Sequence, residues 1–255
     1  MSLEKAEALV IRQADFSETS RVITLFSKEF GKFSVLAKGV KRLKGPFDAG
    51  IDLLSRSRVV FIRKSSGSLD LLTEARLVSR FVPPGSNIDS LYGGYYVADL
   101  LEGLTEEYDP EPEIYNLATD TLTKLMATEH HSLTSVVEFE LGILRISGLL
   151  GSLTECIVCG SSVMQSGQLS SKNFAHWISQ GGLLCADCRR PEFSGRSISA
   201  GSVAALRQLS SGDSQLSGRL RLTKQQIIEC HHFAVSTITS ILGRRPSTLR
   251  YLDGV

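Results

Sequence analysis

A chain of 255 residues can bury one large core or two modest ones, and 42% hydrophobic with 22% charged residues is a globular composition that excludes a mainly disordered or fibrous protein. The longest apolar runs are broken by charge well short of the roughly 18 residues of a membrane-spanning helix. Glu4, Lys5 and Glu7 stand where a secretory signal needs a basic start and an apolar run, so the expectation is a soluble, cytoplasmic protein with no membrane partner. The net charge of +1 conceals opposed blocks: residues 1–82 hold 15 basic and 9 acidic side chains, 83–150 hold 2 and 12, and 151–255 hold 11 and 6. The basic ends can face a polyanion; the acidic middle cannot.

Up to about residue 80 the pattern is strand-like, with short runs of Val, Ile, Phe and Leu between turn residues. Five strands are predicted: Ala6–Gln13, Arg21–Ser27, Lys32–Lys38, Arg58–Lys64 and Leu69–Phe81. Gly31 marks a hairpin between the second and third, and Ser65-Ser66-Gly67 marks one between the fourth and fifth. Between them Gly39–Ser55, carrying Lys41, Arg42, Lys44 and Pro46, reads as a long basic loop. Five short strands in this span suit a small closed barrel. Pro83-Pro84 with Gly85-Ser86 marks the domain boundary, giving residues 1–82 and 83–255.

Beyond that boundary the period becomes helical. Ile88, Leu91, Tyr92 and Tyr95 begin one helix, with Ser86 or Asn87 as its cap, and further helices are predicted at about 111–127 and 134–148. The last starts at Thr223 with Gln226 at capping-box spacing and ends near Gly243. The acidic run Glu106–Glu113, with two prolines, reads as a solvated loop, and the Ser/Gly-rich 210–218 as a flexible connection.

Cys156-Ile-Val-Cys159 and Cys185-Ala-Asp-Cys188, with 25 residues between the pairs, carry the strongest chemical signal. Two-residue gaps let both thiolates of a pair point into one tetrahedron, and two such turns supply the four soft ligands of a closed structural zinc site. Gly160 gives the first turn freedom to curl its amides toward the sulfurs. This zinc module is placed at about 153–192, with one Zn2+ per chain. Four cysteine ligands leave no position open for water, which disfavours a hydrolytic role. Cys230, His231 and His232 lie consecutively in a helical pattern; adjacent helical residues point about 100° apart, so the trio reads as a buried cysteine beside partly exposed histidines. The sequence holds no phosphate loop of the G-x-x-x-x-G-K-[ST] type, no H-E-x-x-H, no G-x-S-x-G and no G-x-G-x-x-G, and no small-molecule substrate or catalytic residue is assigned.

A small basic barrel suits single-stranded nucleic acid, whose phosphates follow a cationic groove while bases stack on aromatic rings. The candidate contacts are Arg21, Lys38, Lys41, Arg42 and Lys44, with Arg12, Arg63 and Lys64 behind them. Phe33 is expected in the barrel core, and Phe47 is open between core and stacking.

The run ETSRVITLFSKEFGKFSVLAKGVKR from Glu18, GGYYVADLLEGLTEEYDPEPEIY from Gly93, and FELGILRISGLLGSLTECIVCG followed by GGLLCADC resemble, in order and over nearly the whole chain, the RecO family of bacterial recombination mediators. The resemblance implies an α+β multidomain protein: an N-terminal five-stranded oligonucleotide-binding (OB) barrel, then an α-helical domain with an inserted four-cysteine zinc module. It also implies binding and annealing of DNA strands and, with RecR, help for RecA in replacing single-strand binding protein, whose C-terminal tail is a further expected partner. The family's basic loop maps onto Lys38, Lys41, Arg42 and Lys44, and its cysteine quartet onto the four cysteines named. Two departures stand out: Gly148-Leu149 where a Gly-aromatic pair is expected, and a tail from Arg244 to Val255 that follows no family pattern. A competing reading makes the acidic helical region the working part of a protein-protein adaptor, with the barrel as its support.

Overall fold

The structure is a computed structural model and describes residues 1–40, 47, 50–64, 69–85, 87–128, 131–163, 174–185, 187–190, 197–212 and 221–252. The chain divides into two compact units, Met1–Glu129 with Pro246–Val255, and His130–Arg245.

In the first unit, β1 (Ser2–Asp15), β2 (Arg21–Ser27), β3 (Gly31–Ala37), β4 (Arg56–Arg63) and β5 (Asp70–Ser79) close into a barrel in the order β1-β2-β3-β5-β4. All pairings are antiparallel except β3 with β5, which run parallel from Val35↔Asp70 to Ala37↔Leu72. Five strands closed in this way are the OB topology. β3 shows why the sequence chooses it: Gly31, Phe33, Val35 and Ala37 are buried and the residues between them are not, the two-residue period of a strand with one core face. β1 is longer than its pattern predicts because it serves two neighbours, pairing with β4 through Ser2–Leu9 and with β2 through Ala8–Asp15. An irregularity between Val10 and Arg12 bends it from one to the other. Ile23, Leu25, Phe33, Val35 and Phe61 fill the barrel, and Phe47 joins them at 7% exposure.

Outside the barrel, helices α1 (Ile88–Leu104) and α2 (Pro112–Met126) cover part of the wall. Asn87 caps α1 by accepting from the Ser90 amide at 3.1 Å, and proline opens α2, where its missing N–H costs nothing. Phe26 and Leu9 are fully buried although neither belongs to the barrel interior; Phe26 meets Tyr115 of α2 with ring centroids 6.3 Å apart. The Lys32 ammonium donates to the carbonyls of Glu102 and Thr105, placing a cation at the C-terminal end of α1.

The acidic connection between these helices is more than a solvated loop. Its side chains are mostly exposed, but the Tyr108 amide donates to the Lys32 carbonyl at 2.8 Å, and the Tyr108 ring packs on the barrel core. Gly31 makes this approach feasible: its φ is +63°, and a Cβ there would lie 1.9 Å from the Asp109 carbonyl oxygen. A short 3-10 helix, Ser247–Tyr251, docks on α1, where Asp99 Oδ2 accepts from the Ser247 hydroxyl and from the amide and hydroxyl of Thr248. The Tyr92 and Tyr251 rings stack at 4.6 Å.

The second unit holds α3 (Ser132–Ile146), a three-stranded sheet in the order β7-β6-β8 (β6 Phe174–Trp177, β7 Gly182–Leu184, β8 Ser197–Ile198), then α4 (Ala200–Ser210) and α5 (Lys224–Leu242). The predicted capping box opens α5: the Thr223 hydroxyl accepts from the Gln226 amide, and the Gln226 side chain accepts from the Thr223 amide. α4 and the small sheet have no counterpart among the sequence-derived elements. Most of the 210–218 stretch, from 213 onward, lies outside the described residues.

Cys230 is fully buried as read, and burial pushes its thiol up to about 12. His231 corrects the expectation of partly exposed histidines: it is buried, with Nδ1 3.0 Å from Oε2 of the fully buried Glu140. A carboxylate on α3 opposite an imidazole on α5 accounts for that burial, since each polar group offsets the desolvation of the other.

Candidate nucleic-acid interface and metal centre

One end of the barrel collects the cationic candidates that fall within the described residues. Register pairs Asp15 with Arg21 and Arg21 with Ala37, so the end of β1, the start of β2 and the end of β3 lie side by side. Arg21 Nε donates to Asp15 Oδ1 at 2.9 Å and Nη1 to Gln13 Oε1 at 3.3 Å, which anchors the guanidinium against β1. Lys38 is exposed directly after β3. Lys41, Arg42 and Lys44 lie outside the described residues.

The secondary candidates are engaged locally. Arg12 pairs with Glu102, and the Arg63 guanidinium sits over the Tyr108 ring at 4.2 Å. That ring's hydroxyl donates to Asp70, and burial followed by this bond raises the Tyr108 phenol well above its ordinary pKa. Lys64 donates its backbone amide to Asp70 Oδ1 at 2.8 Å. Phe33 and Phe47 are both buried, so neither ring is offered to a base. Sequence reasoning passed over Phe16, which stands 61% exposed at the β1–β2 hairpin; the signal was present, a lone aromatic in a polar turn beside a basic strand end.

The four cysteines converge as their spacing requires. One ligand atom from each of Cys156, Cys159, Cys185 and Cys188 lies within 4.8 Å of all the others, and Cys159 and Cys185 are 3.8 Å apart at sulfur. Sulfurs about 2.3 Å from a tetrahedral ion stand roughly 3.8 Å from one another, so the donor set fits a soft tetrahedral cation. The first knuckle is closed by Gly160 N to Cys156 O at 2.8 Å, with Gly160 at φ +70°. Its link to the second is backbone: Cys156 bridges Leu183, and the Ile157 amide donates to the Leu183 carbonyl at 3.1 Å.

The sulfurs do not ionise alike without an ion. The Ser161 hydroxyl holds Cys159 down to about 6. Burial raises Cys156, but amides of Cys185, Cys159 and Val158 outweigh it and bring the thiol below its usual value. Cys188 is pushed up to about 12, chiefly by sharing its proton with Cys159. Four thiolates this close need a cation to coexist.

Comparison with known families gives two matches along the chain. Residues 1–81 match the family model described as Recombination protein O N terminal, and residues 85–250 match Recombination protein O C terminal. The chain belongs to the RecO family. The DNA repair protein RecO of Rhodopirellula baltica is 35% identical over 204 residues, covering 80% of this chain and 74% of its own. The RecO proteins of Desulfitobacterium hafniense (strain Y51) and Dehalococcoides mccartyi are 30% and 25% identical, covering 91% and 98% of this chain and 84% and 95% of theirs.

As a RecO-family DNA repair protein, the chain has the α+β architecture and OB barrel expected of it. The two RecO models meet between 81 and 85, whereas the compact units divide at 129/130; the difference is that α1, α2 and Ser247–Tyr251 belong to the same compact unit as the barrel. Among the described residues, no helix is long and apolar enough to cross a membrane.

Proposed function

We propose that this chain is a non-catalytic recombination mediator. Its OB barrel, residues 1–82, binds single-stranded and also double-stranded DNA and anneals complementary strands. With RecR it helps load RecA onto DNA coated by single-strand binding protein. The observation that carries the reading is the closed β1-β2-β3-β5-β4 barrel in a RecO-family chain, with Arg21 paired in register to Ala37, Lys38 next after it at the same end, and Lys41, Arg42 and Lys44 following in sequence. Cations there neutralise phosphates without engaging base edges, and two polyanionic strands can then approach with their bases free to pair.

The cysteine quartet, in the helical region 83–255, is assigned to one structural zinc. The ion would lock the two knuckles together and supply no reaction step, since four thiolates complete its shell. The −10 block of residues 83–150 is assigned to protein contacts, RecR first, and RecA is met only indirectly. The acidic C-terminal tail of single-strand binding protein is assigned to the basic last third, near Arg221 and Lys224, both exposed; Arg219, nearby in sequence, lies outside the described residues. The place of work is the cytoplasm, on the nucleoid.

Two measurements test this. A fluorescent single-stranded oligonucleotide titrated at two salt concentrations should bind less tightly at the higher one, with a steep logarithmic slope. Annealing of complementary strands coated with single-strand binding protein should be accelerated. Salt-insensitive binding and no acceleration would favour the adaptor reading, which the acidic block alone supports.

A further inference from the structure

We propose that Phe16 is the base-stacking platform of this barrel, with a single strand crossing the ends of β1, β2 and β3 so that one base lies on the Phe16 ring and the backbone runs past Arg21 toward Lys38. The inference rests on the nucleic-acid reading and adds to it the contact that holds a base.

Residues 1–82 contain seven aromatic side chains, all phenylalanines. Phe26, Phe33, Phe47 and Phe61 are buried, Phe30 and Phe81 are half-buried, and Phe16 alone is exposed. A barrel that stacks a base without repacking its own core has this ring to do it with. The ring is presented on a fixed turn: the Phe16 amide donates to the Ser20 carbonyl at 3.0 Å and the Ser17 amide to the same oxygen at 3.2 Å. The hairpin joining strands 1 and 2 is one of the loops with which OB barrels meet oligonucleotides.

Charge around the ring is arranged for a polyanion on one side. Asp15, next to Phe16, would repel a phosphate, but Arg21 pairs with it and presents a guanidinium there instead. Two strand spacings, about 10 Å, separate the end of β1 from the end of β3, where Lys38 is exposed. Glu18, exposed at the hairpin tip, repels phosphate and so leaves the Arg21 side of the ring to the backbone. Stacking engages the face of a base and leaves its pairing edge open, which is what annealing requires.

The test compares wild type, Phe16→Ala and Phe16→Trp by titrating a fluorescent oligothymidine at two salt concentrations, with far-UV circular dichroism as the check on folding. Phe16→Ala should weaken binding roughly ten-fold at both salts and leave the salt slope unchanged, because the lost contact is not to phosphate. Phe16→Trp should keep near wild-type affinity, and its emission should be quenched saturably by unlabelled oligothymidine, above any change from Trp177 in the wild type. Should Phe16→Ala fail to fold, the tryptophan readout decides alone. Wild-type affinity in Phe16→Ala, or an unquenched Phe16→Trp that still binds, would overturn the inference and leave the nucleic-acid reading standing. A wild type that binds no oligonucleotide at either salt would overturn both.

Discussion

Replacing Gly31 with alanine should loosen the barrel by about 2–3 kcal/mol, although the change adds one methyl group. Three costs add up. Holding alanine at φ +63° costs about 1–2 kcal/mol. The new Cβ would lie 1.9 Å from the Asp109 carbonyl oxygen, and a backbone atom cannot rotate away, so the 105–111 connection must retreat. Its retreat breaks the Tyr108 amide bond to Lys32, a net loss of about 1 kcal/mol, and withdraws the Tyr108 ring from the core. Against this, alanine restricts the unfolded chain and returns about 0.4–1 kcal/mol. Hydrogen exchange of the β2 and β3 amides should therefore quicken by roughly 30- to 150-fold where they open with the barrel. Trp177, the single tryptophan, lies in the second unit and should keep its own denaturation midpoint. Unchanged β2–β3 protection would refute the idea that the acidic connection is clamped to the barrel through this glycine.

Protein purified without added metal should carry about one equivalent of zinc per chain; Cys156→Ser and Cys185→Ser should each lose it and lower the melting temperature of the second unit, and a folded, reduced, metal-free wild type would refute the site. Charge reversal of Lys41, Arg42 and Lys44 to Glu should abolish annealing while zinc content and circular dichroism stay as in the wild type, and normal annealing by that variant would make the segment ordinary solvated surface. His176 is buried in the second unit with Nε2 3.1 Å from the Thr237 hydroxyl, and burial lowers its pKa from 6.5 to about 4. The unfolded chain thus takes up that proton first, so stability present above pH 6.5 should fall as pH drops toward 4, by up to about 3 kcal/mol; His176→Gln should flatten this dependence in a pH series of melting curves, and an unchanged series would show that another group is responsible.

A strand with a single core face was readable because its period is carried by neighbouring residues, as β3 shows. Closure was not: the parallel pairing of β3 with β5 joins residues 35 apart in sequence at its first contact, Val35 and Asp70, and no local pattern announces it. β1 was read short because its ends are exposed and only its middle is buried on both sides. α4 escaped notice because its run of Ala, Gly and Ser has a weak apolar stripe; it is held by the Ser199 cap and by packing against α3 and α5. The cysteine cluster was legible because Cys-x-x-Cys is itself the geometry of half a tetrahedral site, and the structure brings the two pairs together. Phe47 could not be resolved between core and surface, since a lone phenylalanine in a basic loop has no period to consult. Phe16 did carry a signal, a lone aromatic in a polar turn beside Arg21, and it stands exposed.

The return of Pro246–Val255 to the first unit makes the second unit an insertion within it. During synthesis the ribosome releases β1–β5, α1 and α2 early, yet the segment that Asp99 and Tyr92 hold arrives only after all of His130–Arg245 has been made. The barrel-side unit therefore waits, one side of α1 uncovered, while the inserted unit already has its whole sequence. A nonsense codon or a protease cut near residue 246 would accordingly damage the part of the molecule that lies farthest from it along the chain.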